Sequence, residues 1–188
     1  FRRVLFRSGT VVTTVDAGLC MDEAMEEVGG KVLRTKVGDV SVAKVIIDED
    51  ASFGGEPSGT WLHPDFCMCP DGILSGLRMA ELVSKEGKLS ELLSGFNEYP
   101  NIREKIVCSK EAKTKVMENM EELLKEAFDD IQEVNTIDGV RLTFKDGSWT
   151  LVRPSGTEDY VRITLEGKTE ERAEFINETC KRIINENI

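Results

Sequence analysis

The chain has 188 residues, 40% hydrophobic and 31% charged, which is typical of a soluble globular protein with one large or two small domains. The net charge of −11, from 24 basic and 35 acidic residues, argues against a nucleic-acid-binding protein, which needs a basic face. No apolar run approaches the roughly 20 residues that cross a bilayer, and no secretory signal is evident. We therefore expect a cytoplasmic protein that does not bind membranes, with its five irregularly spaced cysteines reduced.

The first hundred residues alternate between strand-like and helix-like patterns. Residues 1–8, FRRVLFRS, read as a truncated edge or a non-native extension and carry no assignment. After them the pattern predicts a strand, a helix, a second strand, a segment that suits helix or strand equally, and a short strand leading into a glycine-rich loop. These are residues 9–15, 21–30, 31–37, 40–47 and 51–60 in turn. The alternation predicts an α/β domain with a mixed, mainly parallel sheet over residues 1–100.

A helix is expected after residue 70, with Asp71 as its N-cap and Ile73, Leu77 and Ala80 on one face. The polar, turn-rich stretch NEYPN (97–101) that follows suits a domain boundary.

Residues 101–188 predict a smaller α+β domain with an antiparallel sheet and its helices on one sheet face. A strand comes first, then an amphipathic helix near 110–128. Alternating strands follow from Val140, with a hairpin turn at 145–147, and a last helix begins at about Thr169.

The turn RPSGTE, Arg153–Glu158, carries more hydrogen-bond donors than a hairpin needs. Arg153 offers a planar fork of donors, Ser155 and Thr157 add hydroxyls, and Gly156 lets successive N–H groups point at one anion. This composition suits a phosphate. It equally suits an ordinary polar turn whose hydroxyls bond their own backbone.

A second polar loop, GGEPSGT, spans residues 54–60 after a predicted strand. Parallel α/β sheets bind ligands at the carboxyl ends of their strands. Glu56 can accept bonds from two vicinal hydroxyls, Ser58 can donate or accept, and the glycines, Gly59 among them, allow close approach. The loop could hold a sugar diol or be a plain connector.

Together, the sequences GGEPSGTW and RPSGTE, with VGDVSVAK and PDGILSG around the first, resemble the α-D-phosphohexomutase family. They are most similar to its phosphoglucosamine mutase and phosphomannomutase branch. The resemblance covers nearly the whole chain and implies domains 3 and 4 of a four-domain enzyme. Domains 1 and 2 would then be missing partners.

The resemblance implies roles for particular residues. Glu56, Ser58 and Gly59 would hold sugar hydroxyls of a hexose or hexosamine phosphate, with Gly38 and Asp39 as weaker candidates. The phosphate that is not being transferred would be bound by Arg153, Ser155, Gly156 and Thr157. Asp16 and Ala17 in the first-strand loop, and Thr60, depart from residues common in the family, which leaves the preferred sugar open.

The implied reaction interconverts hexose 6-phosphate and hexose 1-phosphate through a phosphoserine, a hexose 1,6-bisphosphate intermediate and Mg²⁺. The sequence contains neither a Thr-Ala-Ser-His-Asn-type serine loop nor an Asp-x-Asp-x-Asp metal loop. We therefore expect no catalytic residue and no metal ligand in this chain, which alone should be inactive.

Two other functions stay open: a non-catalytic sugar-phosphate-binding module and an interaction domain without a ligand. His63, Cys67 and Cys69 have a spacing that could begin a metal site, but a fourth ligand is not nearby in the sequence. Packing beside the 54–60 loop is the alternative for these three side chains.

Overall fold

The computed structural model describes residues 9–188; the N-terminal stretch 1–8 lies outside the described residues. The chain divides into two compact units between Glu98 and Tyr99. Within the described residues, the first unit has two buried hydrophobic clusters and the second unit has one.

The first unit is a five-stranded mixed sheet with helices. Its elements are β1 (Thr10–Thr14), α1 (Leu19–Glu26), β2 (Lys31–Thr35), α2 (Asp39–Asp48), β3 (Phe53–Gly55), β4 (Trp61–His63), β5 (Cys67–Pro70), α3 (Gly72–Glu86) and α4 (Leu89–Leu93). The strand order is β2-β1-β3-β4-β5. Strand β1 runs parallel to β2 and β3, whereas β4 is antiparallel to both β3 and β5. The expected mixed α/β sheet is confirmed.

The segment whose pattern suited helix or strand equally forms helix α2. Val42 and Ile46, one helical turn apart, are fully buried against the sheet. A Cβ on Gly54 would lie 2.5 Å from Ile46 Cδ1, and one on Gly55 would lie 2.7 Å from Trp61 Cδ1. The space over Gly54 and Gly55 is therefore filled by protein side chains and not left for a ligand.

Helix α3 begins as expected, because the Asp71 carboxylate accepts a hydrogen bond from Leu74 N at 2.8 Å. Its apolar stripe is not packed, however: Ile73 is 81% exposed, Leu77 is 64% exposed, and Ala80 is exposed. The buried residue of this helix is Ser75, which bonds to His63 of β4. Polar contacts hold the helix in place, and the spacing of apolar residues in the sequence does not predict such contacts.

The second unit is a five-stranded, fully antiparallel sheet in the order β6-β10-β9-β8-β7. Its elements are β6 (Asn101–Val107), α5 (Lys110–Ala127), β7 (Ile131–Asn135), β8 (Val140–Phe144), β9 (Trp149–Pro154), β10 (Tyr160–Glu166) and α6 (Glu170–Asn187). Ser109 caps α5 and Thr169 caps α6. The α+β expectation is confirmed.

Both helices of the second unit pack on one sheet face in a single core cluster. Met120 of α5 and Ile176 of α6 are fully buried together with alternate strand residues such as Leu142 and Ile163. The expected hairpin turn forms between β8 and β9, where Gly147 has φ +89°. This core fixes the ends of β9 and β10, between which the RPSGTE turn lies.

Candidate functional site

The loop from Glu56 to Thr60 joins β3 to β4 as a tight turn. Glu56 N donates to Thr60 O and Gly59 N donates to Glu56 O, each at 3.0 Å. Gly59 has φ +90°, a left-handed conformation that favours glycine. Ser58 and Gly59 are exposed at the tip, whereas Glu56 is half-buried at the base.

Two residues that are far apart in the sequence meet at the base of this loop. Gly38 N donates to Glu56 Oε1 at 2.8 Å. Gly38 precedes helix α2, so the carboxylate lies at the positive end of that helix. The bond engages one carboxylate oxygen, and Oε2 can accept from a ligand.

The other candidates of the first unit lie close by but face their own surroundings. Ser58 Oγ and Thr60 Oγ1 are 3.1 Å apart, so the two hydroxyls share one hydrogen bond. Asp39 Oδ1 accepts from Val40 N within the first turn of α2. The structure thus joins Gly38 to Glu56 and does not join Asp39 to the loop.

In the second unit, Arg153 stands at the end of β9 and forms an ion pair. Its NH1 donates to Asp138 Oδ2 at 2.8 Å, and the two side chains are 21% and 25% exposed. Because one guanidinium nitrogen makes this contact, the rest of the fork is oriented by it. No local sequence pattern pointed to Asp138, which lies in the turn between β7 and β8.

The hydroxyl of Ser155 organises the RPSGTE turn from within. Its Oγ accepts from Glu158 N at 3.0 Å and from Thr157 N at 3.4 Å. The ligand-free turn therefore has the internal bonding of an ordinary serine turn. Gly156 and Thr157 are exposed, and the hydroxyl hydrogen of Ser155 can still be donated outward.

Lys113 of helix α5 supports the same turn and was missed at the sequence level. Its Nζ donates to Glu158 O at 2.7 Å and to Ser155 O at 3.0 Å, and lies 3.6 Å from Asp159 Oδ1. The side chain is only 13% exposed. A lysine 42 residues before Ser155 carries no local pattern that would link it to this turn.

Behind the first loop, His63 is buried in a polar network at the end of β4. Ser75 Oγ donates its single proton to Asp71 O at 2.6 Å, so His63 Nε2 must donate to Ser75 Oγ at 2.8 Å. The other ring nitrogen, Nδ1, then accepts from Arg78 NH1 at 3.3 Å. Burial, followed by the positive charge of Arg78, lowers the pKa of His63. Both ring nitrogens are used within the protein.

The part of the chain that the structure describes contains no group of three or more His, Cys, Asp or Glu side chains placed to hold a metal ion. Within residues 9–188, no helix combines the length and apolar character needed to cross a membrane.

Comparison with known families matches both units. Residues 2–99 match the model of phosphoglucomutase/phosphomannomutase α/β/α domain III, and residues 106–182 match the C-terminal domain of the same family. A protein of Methanobrevibacter smithii named as a probable phosphoglucosamine mutase is 76% identical over 180 residues, which are 96% of this chain and 40% of that protein. A phosphoglucosamine mutase of Methanococcus maripaludis is 49% identical over 169 residues, or 89% of this chain and 37% of that protein. The chain therefore spans about two fifths of the length of these relatives.

Solved structures share the fold. A phosphoglucomutase/phosphomannomutase family protein of Burkholderia thailandensis superimposes with a TM-score of 0.79 at 22% identity, over 99% of this chain and 41% of that one. An N-acetylphosphoglucosamine mutase of Aspergillus fumigatus, solved with GlcNAc-6P and magnesium, gives a TM-score of 0.61 at 16% identity over 94% of this chain and 40% of that one. The chain belongs to the phosphoglucomutase/phosphomannomutase family, also called the α-D-phosphohexomutases, and corresponds to its third and C-terminal domains.

Proposed function

We propose that this chain supplies the substrate-binding half of a phosphoglucosamine mutase, which interconverts a hexosamine 6-phosphate and a hexosamine 1-phosphate in the cytoplasm. The names of the curated relatives support this assignment. The single observation that carries it is the hydrogen bond from Gly38 N to Glu56 Oε1, which orients a carboxylate at the base of the loop whose exposed tip contains Ser58.

Glu56 is proposed to accept hydrogen bonds from sugar hydroxyls. A carboxylate that already accepts one backbone bond loses little freedom when a ligand binds, so its remaining oxygen is preorganised. Ser58 and Gly59 form the exposed rim of the same loop, where a hydroxyl and a backbone N–H can complete the contacts with the sugar.

Arg153, Ser155, Gly156 and Thr157 are proposed to bind the phosphate that is not being transferred. Arg153 would share its fork between Asp138 and a phosphate oxygen. The amides of Thr157 and Glu158 now point at Ser155 Oγ, so binding through them requires a small rearrangement of the turn. Beyond Gly156 and its two chain neighbours, nothing lies within 4 Å of where a Cβ would be, which leaves space for an anion.

The phosphoryl transfer itself is assigned to parts of the whole protein outside this chain. A phosphorylated serine, a hexose 1,6-bisphosphate intermediate and Mg²⁺ belong to that proposal. The described residues do not fit a Mg²⁺ site, because they bring no three candidate ligands together. We therefore expect the chain alone to bind its ligand without turnover.

The test compares three ligands on the purified chain by calorimetry: glucosamine 6-phosphate, glucosamine and inorganic phosphate. Glu56→Gln keeps an acceptor for Gly38 N but removes the charge. It should therefore weaken binding of glucosamine 6-phosphate about tenfold and leave binding of inorganic phosphate unchanged. Arg153→Lys should weaken both. Equal binding of glucosamine 6-phosphate by the original chain and both variants would contradict the site.

Turnover separates the remaining alternatives. The whole protein should interconvert the two phosphosugars, whereas the chain alone should not. Turnover by the chain alone would refute the division of roles. Binding without turnover by the whole protein would identify a non-catalytic sugar-phosphate module instead.

A further inference from the structure

A pair of thiols stands on the last strand of the first sheet. Cys67 and Cys69 both belong to β5, an edge strand, and their Sγ atoms are 3.0 Å apart. Cys69 is exposed and Cys67 is half-buried. None of the proposed sugar or phosphate contacts uses either residue.

An irregularity in strand pairing brings the two sulfurs together. Leu62 of β4 pairs with Pro70, but the next residue, His63, pairs with Cys67. One step along β4 therefore corresponds to three steps along β5, and Met68 and Cys69 form a bulge. In a regular strand, residues two apart have Cα atoms about 6.6 Å apart, near the upper limit of about 6.8 Å for a disulfide. A bulge bends the strand and re-aims its side chains, which allows the closer approach.

We propose that Cys67 and Cys69 are a redox-responsive dithiol that low-molecular-weight disulfides convert to an intrachain disulfide. The geometry supplies the two requirements of this chemistry, which are an accessible thiol and a second thiol at contact distance. Of the other cysteines, Cys108 and Cys180 are buried, and Cys20 is exposed at the start of α1. Burial also raises the pKa of the Cys180 thiol to about 12, which keeps it unreactive.

The reaction is two successive thiol–disulfide exchanges. The thiolate of one cysteine attacks a sulfur of oxidised glutathione, forming a mixed disulfide and releasing one glutathione thiolate. The thiolate of the other cysteine then attacks the protein sulfur of that mixed disulfide, forming the Cys67–Cys69 bond and releasing the second glutathione. The protein loses two protons and two electrons, and one oxidised glutathione becomes two reduced molecules.

Closure would fix the bulge in one conformation. Strand β5 pairs with β4, which follows the 56–60 loop directly and ends at His63. A covalent link across Met68 restricts the backbone of this edge, so amide hydrogen exchange over residues 61–70 should slow on oxidation.

The experiment incubates the reduced chain with glutathione buffers of increasing oxidised fraction, quenches with acid and alkylates the remaining thiols. We expect the peptide containing Cys67 and Cys69 to lose both alkylation sites together, without a glutathione adduct and two hydrogens lighter than its reduced form. Cys20 should remain alkylated or carry one adduct. In Cys67→Ser and Cys69→Ser the remaining thiol should stop at the mixed disulfide.

Separate glutathione adducts on Cys67 and Cys69 of the original chain would overturn the proposal, because they would show that the second exchange does not occur. So would a pair that stays reduced throughout the series. Cys20→Ser serves as the matched control, since it removes an exposed thiol and should leave closure of the Cys67–Cys69 bond unchanged.

Discussion

The backbone N–H of Gly38 binds Glu56 Oε1 at 2.8 Å, across 18 residues of sequence. Gly38 lies just before helix α2 with a φ of 128°, a backbone conformation that favours glycine. In this conformation its N–H is directed at Glu56. The proposed sugar-binding carboxylate is thus positioned by a glycine of a neighbouring loop, and this dependence can be tested.

Gly38→Ala should impair both stability and ligand binding. Beyond Gly38 and its two chain neighbours, nothing lies within 4 Å of the added Cβ, so the cost comes from the backbone and amounts to about 1–3 kcal/mol of unfolding free energy. Relief of the strain should move the N–H away from Glu56 and weaken binding of glucosamine 6-phosphate. Urea unfolding followed by tryptophan fluorescence measures the loss of stability, and calorimetric titration measures the loss of binding.

Gly29→Ala is the matched control, because Gly29 also has positive φ and open space around the added Cβ. It should lower the free energy of unfolding by a similar amount to Gly38→Ala and leave binding of glucosamine 6-phosphate unchanged. If both variants bind the phosphosugar equally well, Gly38 does not position Glu56.

Lys113→Met should loosen the RPSGTE turn. The substitution keeps most of the aliphatic stem and removes charged hydrogen bonds to Ser155 O and Glu158 O, which stabilise the protein by about 1.5–3 kcal/mol. Hydrogen exchange at Thr157 and Glu158 should accelerate, and inorganic phosphate should bind more weakly. Lys115→Met, on the exposed side of the same helix, makes the same charge change and should shift stability by less than about 0.5 kcal/mol. If the two variants had equal effects on stability and on phosphate binding, Lys113 would have no specific role in the RPSGTE turn.

Asp138→Asn should strengthen binding of inorganic phosphate. The carboxylate pairs with Arg153 and repels an incoming anion, so its neutralisation removes competition for the guanidinium. We expect a gain of about threefold to tenfold and a stability loss of about 1 kcal/mol or less. Asp129→Asn, on an exposed residue, controls for net charge. Weaker phosphate binding by Asp138→Asn would show instead that the carboxylate is needed to orient Arg153.

His63 makes the first unit sensitive to acid. Its pKa in the folded chain is lowered by burial and by Arg78, so the unfolded chain takes up a proton first as the pH falls below about 6.5. The stability contributed by the neutral ring is therefore complete above about pH 6.5 and is lost as the pH falls from there through the folded pKa.

NMR can check this directly, because the sequence contains one histidine. The ring proton signal should titrate with a midpoint below about 6.5, and the neutral ring should carry its proton on Nε2. A midpoint at or above that value, or a proton on Nδ1, would contradict the network. The stability difference between the original chain and His63→Gln should also shrink on acidification.

Local patterns predicted the elements well wherever burial sets the periodicity. Val116, Met120 and Leu124 of α5 have helical spacing because one face of the helix packs in the core. The segment at 40–47 was ambiguous because its β-branched residues suit a strand, and only packing on the sheet selects the helix. The apolar stripe on α3 suggested a packed face, but that helix is held by polar contacts of Ser75 and Arg78 and not by its apolar residues.

The sequence identified the candidate site residues as two polar loops but did not indicate what holds them. Glu56 depends on Gly38, Arg153 on Asp138 and Ser155 on Lys113, at separations of 18, 15 and 42 residues. Such pairs are created by strand order and helix placement. A pattern read over a few residues contains no information about them.

The separate cores of the two units have a consequence for cooperativity. Among the described residues, each buried cluster contains residues of one unit only, so each core is built within its own unit. The chain also has one tryptophan per unit, Trp61 in the first and Trp149 in the second. Heat or denaturant can therefore melt the two units at different midpoints. Single-tryptophan variants would report each transition alone, and a ligand that binds one unit should raise the midpoint of that unit.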